Sequence, residues 1–418
     1  MEKDIKKPQI RFQGFTEGWE QRKFDDLCEI ITKQTGFDYS ATIKPSLINS
    51  KREDTYPFIQ NKDFSGNNIN LNTDFYIPIN VAEKFNKILL DKPSVLVSIS
   101  GRIGNVGFYG LSQKAFIGGA VGICKLKDGI DGEFIVQELE SPYGQKYFQS
   151  LTKASSHANI TVEDIRNIDL YFTKYTNERK AIGDFFEKLD NLIILHQRKY
   201  DSLVKVKKSI LEKMFPRRGT KKPEIRFAGF TDDWEQRKLE EFVSFFNGLT
   251  YTPNDVRESG TLVLRSSNVK DGEIVEADNV YVDPNVVNSE NVKEGDIIVV
   301  VRNGSRALIG KHAEIKTSMP NTVIGAFMTG IRSKHSSFVN ALLDTSCFEN
   351  EITMNMGATI NQITGYMFSK MKFYIPNEKE QEAIGEFFKQ FDNFITLHQR
   401  KLNLLKNMKK AMLEKMFV

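Results

Sequence analysis

The chain carries two long stretches in which apolar residues return every three or four positions. In the first, Ile182, Leu189, His196, Leu203 and Ile210 fall seven residues apart, with Phe186, Ile193, Tyr200 and Met214 on the adjoining stripe. In the second, Ile384, Phe391, His398, Leu405 and Met412 keep the same register. A seven-residue repeat sustained this long predicts two helices that bury a common seam, the pattern of a coiled coil. At 1.5 Å per residue each would be roughly 57 Å long. Each helix is the natural partner of the other, packed antiparallel, although a plain helical hairpin joining two domains has the same periodicity. His196 and His398 stand at matching seam positions. There a histidine hydrogen-bonded within the coiled coil is expected rather than a metal ligand or a base.

These helices belong to a larger repetition. KKPQIRFQGFTEGWEQRKFDDL (6–27) matches KKPEIRFAGFTDDWEQRKLEEF (221–242) without a gap, and residues 178–215 match 380–417 in the same way. The interval between the two blocks is shorter in the second half. Each half is therefore a constant opening segment, a variable middle and a constant helix. Two copies make a duplicated architecture with a pseudo-twofold axis, not a solenoid. The chain's two tryptophans, Trp19 and Trp234, both sit in the pentapeptide WEQRK. They are expected to anchor each opening segment in a core.

The middles read as short strands with helices between them. PSVLVSISGRIGNVGFYG (93–110) and GDIIVVVRNGSRALIGKH (295–312) each predict an apolar strand, a glycine-containing turn and a second strand, with Gly101 set on Gly304 and Gly107 on Gly310. Further on, ANITVEDIRNIDLYF (158–172) aligns with NQITGYMFSKMKFYI (361–375), so that Ile160 and Thr161 meet Ile363 and Thr364, and Tyr171 meets Tyr374. The expected fold is α+β: two similar α/β domains at 1–176 and 218–377, related by pseudo-twofold symmetry, with the antiparallel coiled-coil helices at 177–217 and 378–418. A length of 418 residues agrees with more than one domain, since single cores stop growing at about 250–300 residues.

Composition narrows the setting. A content of 40% hydrophobic and 27% charged residues is that of a soluble globular protein. Cys28, Cys124 and Cys347 are scattered, without metal-ligand spacing, and read as reduced, mostly buried thiols of a cytoplasmic protein. The start, MEKDIKKPQIRF, has no apolar leader, and no apolar run is long enough to cross a membrane. A net charge of +4 permits a nucleic-acid partner without demanding one, because a local patch decides.

Catalytic signatures fail one by one. The stretch Gly304 to His312 has five residues between its glycines where a phosphate loop needs four, and His312 where Ser or Thr would hold magnesium. GRIGNVG at 101–107 lacks dinucleotide-binding spacing, and no metal cluster or nucleophile elbow occurs. No catalytic residue and no metal ligand is expected. Binding residues survive better. Arg102, Asn105, Arg302, Asn303, Ser305 and Arg306 gather in or beside the two strand turns, and Ser156, His157, Asn159 and Gln362 stand at the ANIT and NQIT segments. Arginine reads guanine bidentately and Asn or Gln reads adenine in the major groove. Ordinary polar turn residues would have the same composition. Lys205, Lys207, Lys208, Arg217, Arg218, Lys221 and Lys222 gather where the halves join, either to neutralise phosphates or as a solvated helix end. From the residues alone, two classes stay open: a DNA sequence reader, and a coiled-coil interaction scaffold whose twin modules make no DNA contact.

The whole organisation resembles the specificity subunits of type I restriction–modification enzymes. The resemblance rests on the twice-repeated I-R-F-x-G-F-T and W-E-Q-R-K, and on A-I-G-(D/E)-F-F-x-x-x-D-N-x-I-x-L-H-Q-R-K with L-E-K-M-F at 181–199 and 211–215, then at 383–401 and 413–417. It implies a non-catalytic DNA-binding subunit with two target-recognition domains, each reading half of a bipartite, asymmetric double-stranded DNA site, and a coiled coil that sets their spacing. It further implies two methylation subunits and two restriction (motor-nuclease) subunits as partners. Those partners, not this chain, would use S-adenosylmethionine, ATP and magnesium. Half-sites on one face of the duplex lie about 34 Å apart, or a multiple of it, which helices of the expected length can span.

Overall fold

The computed structural model describes residues 5–152, 159–217, 219–356 and 361–418. It forms two compact units, Met1–Gln197 with Arg400–Val418, and Arg198–Gln399. Each unit therefore takes one middle, the first part of the long helix that follows it and the last part of the other long helix. Both helices run for 39 residues, Thr176–Met214 and Glu378–Met416. Pro216 follows the first and cannot continue it. The Asn377 side chain caps the second, accepting the Glu380 N–H at 3.0 Å.

In the first unit the opening strand Trp19–Lys23 pairs with Asp169–Phe172. A four-stranded antiparallel sheet follows in the order Val106–Tyr109, Ser94–Ser98, Val121–Leu126, Cys28–Lys33. A second sheet is ordered Tyr76–Pro78, Thr55–Ile59, Ala115–Ile117, Leu89–Leu90, and its one parallel pairing joins Ala115–Ile117 to Thr55–Ile59. The second unit repeats the scheme. His312–Glu314, Ile297–Val300, Met328–Arg332 and Ser244–Asn247 form its antiparallel sheet, and Thr261–Leu264 pairs in parallel with Thr322–Ile324 in the other. The central strands Ser94–Ser98 and Ile297–Val300 are buried throughout, which explains their continuous apolar runs.

The register corrects one alignment expected from sequence. Ser98 N–H bonds Asn105 O and Gly104 N–H bonds Ser98 O in the first unit; Val300 N–H bonds Lys311 O and Gly310 N–H bonds Val300 O in the second. Gly104, not Gly107, thus corresponds to Gly310, and the second turn is longer. Both glycines hold positive φ, +85° and +87°, with Phe148 and Ile352 packed where a Cβ would stand. A side chain there would be strained and crowded.

The repeated blocks meet in space. Trp19 is fully buried, 5.9 Å from the Phe417 ring and 5.4 Å from Phe134, and Phe417 lies 5.9 Å from Phe186. In the second unit Trp234 lies 5.8 Å from Phe215, which stacks 5.6 Å from Phe338. The arginine of I-R-F clasps the start of the long helix in both units: Arg11 to Glu178, and Arg226 to Glu380, each through two hydrogen bonds. Lys409 reaches Asp190 at 2.7 Å and Glu140 at 2.6 Å, while Lys207 reaches Asp392 at 2.5 Å and Asp344 at 2.6 Å. Within the first unit, Lys406 bonds Gln197, Lys409 meets Asp190 and Phe417 meets Phe186, so the two helical segments run antiparallel. Lys207 with Asp392 and Phe215 with Phe388 give the same direction in the second.

Along the expected seam, Ile182, Leu189, His196, Ile384 and Leu405 are buried, and Leu203, Ile210, Phe391, His398 and Met412 half-buried. Both histidines are engaged with neighbouring groups. All three cysteines are free, Cys28 and Cys124 buried and Cys347 partly so. No helix among the described residues is long and apolar enough to cross a membrane.

Candidate nucleic-acid interface

In each unit the turn that leaves the central strand is braced against the segment that opens with Asn159 or Gln362. Ser100 bridges to Asn159 and Arg302 to Gln362. Ile160 N–H bonds Ile99 O, and Ile363 N–H bonds Val301 O, both at 2.9 Å. The two isoleucines are buried, while Thr161 and Thr364 cap the short helices Val162–Arg166 and Gly365–Ser369. The repeated Ile-Thr pair thus builds a fixed platform from which the polar neighbours project.

On the first platform Arg102, Asn105 and Asn159 are exposed. The turn is held from behind by Asn61, whose amide bonds Ser100 O at 2.6 Å, and by Gln145, whose amide bonds Gly104 O at 3.0 Å. Beside it lies a cleft of about 680 Å³ lined by Phe64, Arg102, Gln145, Lys406, Lys409 and Lys410. Sequence reasoning missed Lys406 and Lys410, because helix lysines at this spacing look like any solvated face. His157 and Ser156 lie outside the described residues.

On the second platform Arg302, Ser305 and Arg306 are exposed and Asn303 and Gln362 half-buried. Asn303 uses one N–H and one oxygen lone pair of its amide internally, donating to Ser266 Oγ and accepting the Ser305 N–H, each at 2.9 Å. These bonds fix the shape of the turn. Five of the seven arginines between 219 and 377 are tied to carboxylates: Arg226 to Glu380, Arg237 to Glu235, Arg257 to Asp283, Arg265 to Asp278 and Arg332 to Asp296. The remaining two, Arg302 and Arg306, are in this turn, and among the described residues no acceptor engages their guanidinium groups. A cleft of about 600 Å³ is lined by Tyr251, Arg265, Ser266, Asp278, Met328 and Phe327, and the Arg302 guanidinium lies over the ring of the last. Phe327 carried no sequence signal, being one of 31 phenylalanines.

A buried ionic cluster anchors the foot of the second turn. His312 Nδ1 faces Gly310 O at 3.0 Å and its Nε2 faces Asp344 at 3.2 Å. Both nitrogens meet acceptors, a pairing that only the imidazolium satisfies. Burial works against that charge, yet the Asp344 carboxylate raises the histidine above its ordinary value. Burial would also raise Asp344, but His312 and Lys207 hold its carboxyl well below the usual range. Elsewhere in the basic run between the halves, Arg217 pairs with Glu224 and Lys222 with Asp233, leaving Lys205, Lys208 and Lys221 exposed; Arg218 lies outside the described residues. Among the described residues no cluster of His, Cys, Asp and Glu is placed to hold a metal.

A family model of the type I restriction modification DNA specificity domain matches residues 16–205 and again 231–407. The type I restriction enzyme MjaVIII specificity subunit of Methanocaldococcus jannaschii is 22% identical over 417 residues, covering 95% of this chain and 91% of that one. The type I restriction enzyme EcoKI specificity subunit of Escherichia coli is 26% identical over 164 residues, 37% of this chain and 35% of that one. The crystal structure of the S subunit of a type I restriction–modification system from M. genitalium matches with a TM-score of 0.63 at 16% identity, covering 99% of each chain, a likeness of fold.

Proposed function

Since the chain belongs to the type I restriction modification DNA specificity family, we propose that it selects the sequence on which a type I complex acts, each recognition domain reading one half of a bipartite, asymmetric DNA site. The observation that carries this reading is the contrast between frame and platform. The tryptophan hub, the Arg–Glu clasp and the Lys–Asp pair recur in both units, while the turns held on that frame differ in length and in side chains. Two like frames with unlike tips suit two unlike half-sites.

In this reading the recognition domains are 1–176 and 218–377, and the helices at 177–217 and 378–418 set the spacing. Arg102, Asn105, Asn159, Arg302, Ser305, Arg306 and Gln362 face DNA, with Asn303 as a positioning residue and His157 beside Asn159 in sequence. The chain performs no chemistry itself. It assembles in the cytoplasm with two methylation subunits and two motor-nuclease subunits, to which S-adenosylmethionine, ATP and magnesium belong. The helices also offer exposed apolar side chains at matching positions: Leu192, Leu195 and Met408 in the first unit, Phe394, Leu397 and Val206 in the second. Matching apolar rows support two alike docking sites for one kind of methylation subunit.

The test exchanges residues 31–175 for the middle of a differently specific relative and sequences adenine methylation in cells that hold the complete complex. One half of the methylated sequence should change and the other stay. A change in both halves, or in neither, would overturn the modular reader.

A further inference from the structure

Backbone register identifies which positions of the two platforms correspond. Ile99 N–H bonds Ala120 O at 3.0 Å, as Val301 N–H bonds Phe327 O at 3.0 Å. Ser100 bridges to Asn159 as Arg302 bridges to Gln362. The first platform therefore carries Ser100 and Ala120 where the second carries Arg302 and Phe327. On equivalent backbone, a small pair has become a cation and an aromatic ring.

The two side chains work as one unit. The Arg302 guanidinium lies 4.9 Å from the centre of the Phe327 ring. Arg302 N–H also bonds Phe327 O, at 3.2 Å, so the residues are joined through the backbone as well. The loop that carries Phe327 is pinned on its far side, where Leu249 N–H bonds Ile324 O and Ala326 N–H bonds Leu249 O. Gly248 approaches so closely that a Cβ there would lie 2.0 Å from Gly325 O. Phe327 is nevertheless 53% exposed, so part of its ring stays open to a ligand on this pinned loop. An arginine held over an aromatic face has less side-chain freedom to lose on binding, and its N–H fork stays available.

These features select a chemistry. The acceptor pair that matches an arginine fork in the major groove is N7 and O6 of guanine, and the apolar group exposed there is the C5 methyl of thymine. We propose that Arg302 and Phe327 together read a guanine flanked by a thymine in the half-site of the second recognition domain, Arg302 taking the guanine edge and Phe327 covering the neighbouring methyl. The proposal rests on the DNA-reading function above and adds the base identity. The first domain, with Ser100 and Ala120, has no such element at this position.

The test uses the assembled complex with its methylation partners. Adenine methylation is sequenced for wild type, Arg302→Ala, Arg302→Lys, Phe327→Ala and Phe327→Leu. Binding is then measured on duplexes in which deoxyuridine replaces the flanking thymine, which removes only the methyl. Arg302→Ala should relax one guanine position by about 10- to 100-fold. Deoxyuridine should weaken wild-type binding by about fourfold, the worth of one buried methyl group, and should leave Phe327→Ala binding unchanged. Recognition of the other half-site must persist in every variant, which serves as the check on folding and assembly. A defined bipartite motif that both alanine variants leave intact, or wild-type binding indifferent to deoxyuridine, overturns this inference alone. Methylation without any bipartite motif overturns the DNA-reading function itself.

Discussion

Lys409 and Glu133 illustrate how single side chains tie a recognition domain to its helices. Lys409 sits between Glu140 and Asp190, with the Asn67 amide on Glu140 at 3.0 Å and the Gln137 amide on Asp190 at 3.2 Å. Removing the cation leaves two carboxylates facing each other in a poorly solvated place. Lys409→Ala should therefore cost about 3–5 kcal/mol, read as a shift in the urea midpoint at constant m. Glu133 is pushed up to about 7 by burial first and then by the charges of Glu187, Asp190 and Asp184. Its folded form keeps a proton that the unfolded chain has released above about 4.5, so this group lowers stability as pH rises from about 4.5 to about 7. Glu133→Gln should remove that slope. The variant's melting temperature should exceed that of wild type at pH 8 and the gap should close near pH 4.5; parallel curves would refute the assignment.

Among the elements, the long helices show two opposed effects at one residue type. A glycine inside a helix usually costs about 1 kcal/mol relative to alanine. At Gly385, however, a Cβ would stand 2.7 Å from the Phe338 backbone nitrogen, and at Gly183 it would stand 2.9 Å from the Glu133 Cβ. Each glycine lets the long helix press against the start of a domain helix, Gly132–Glu140 or Ser336–Leu343. Because the obstacle at Gly385 is backbone, overpacking should win there. Gly385→Ala is expected to lose about 1–3 kcal/mol despite its better helix propensity, checked by thermal unfolding. The glycine of A-I-G was legible in the sequence as part of a repeated block. Its reason was not, because close approach is a property of two elements and not of one.

For the molecule as a whole, the repeated termini of the two halves matter most. Phe417 completes the hub of Trp19, whereas Trp234 relies on Phe215. Deleting residues 413–418 should therefore open the environment of Trp19 and leave that of Trp234 closed. In variants that keep one tryptophan each, acrylamide quenching should rise sharply for Trp19 only. Equal quenching of both would mean that the two hubs do not depend on their own terminal phenylalanines. The backbone N–H of Ile10 bonds Lys415 O as that of Ile225 bonds Lys213 O, both at 2.9 Å. The opening segment is thus tied to a helix end in the same way in each half.

The duplication, the long amphipathic helices, the burial of the tryptophans and the family were all determined along the chain itself. Periodicity and repeated identity are local properties, and a linear reading captures them. The carboxylate partners of Lys409 and Arg11 and the ring partners of Phe417 lie more than a hundred residues away, and no spacing rule encodes such meetings. The turns were placed correctly but registered wrongly, Gly107 standing for Gly104, because the second turn is longer and backbone hydrogen bonds alone define which positions correspond. For the same reason Phe327 was invisible in the sequence. Its exposure, and its place under Arg302, exist only once a buried strand has brought the two loops together, since the packing of distant segments decides which apolar side chains remain in contact with water.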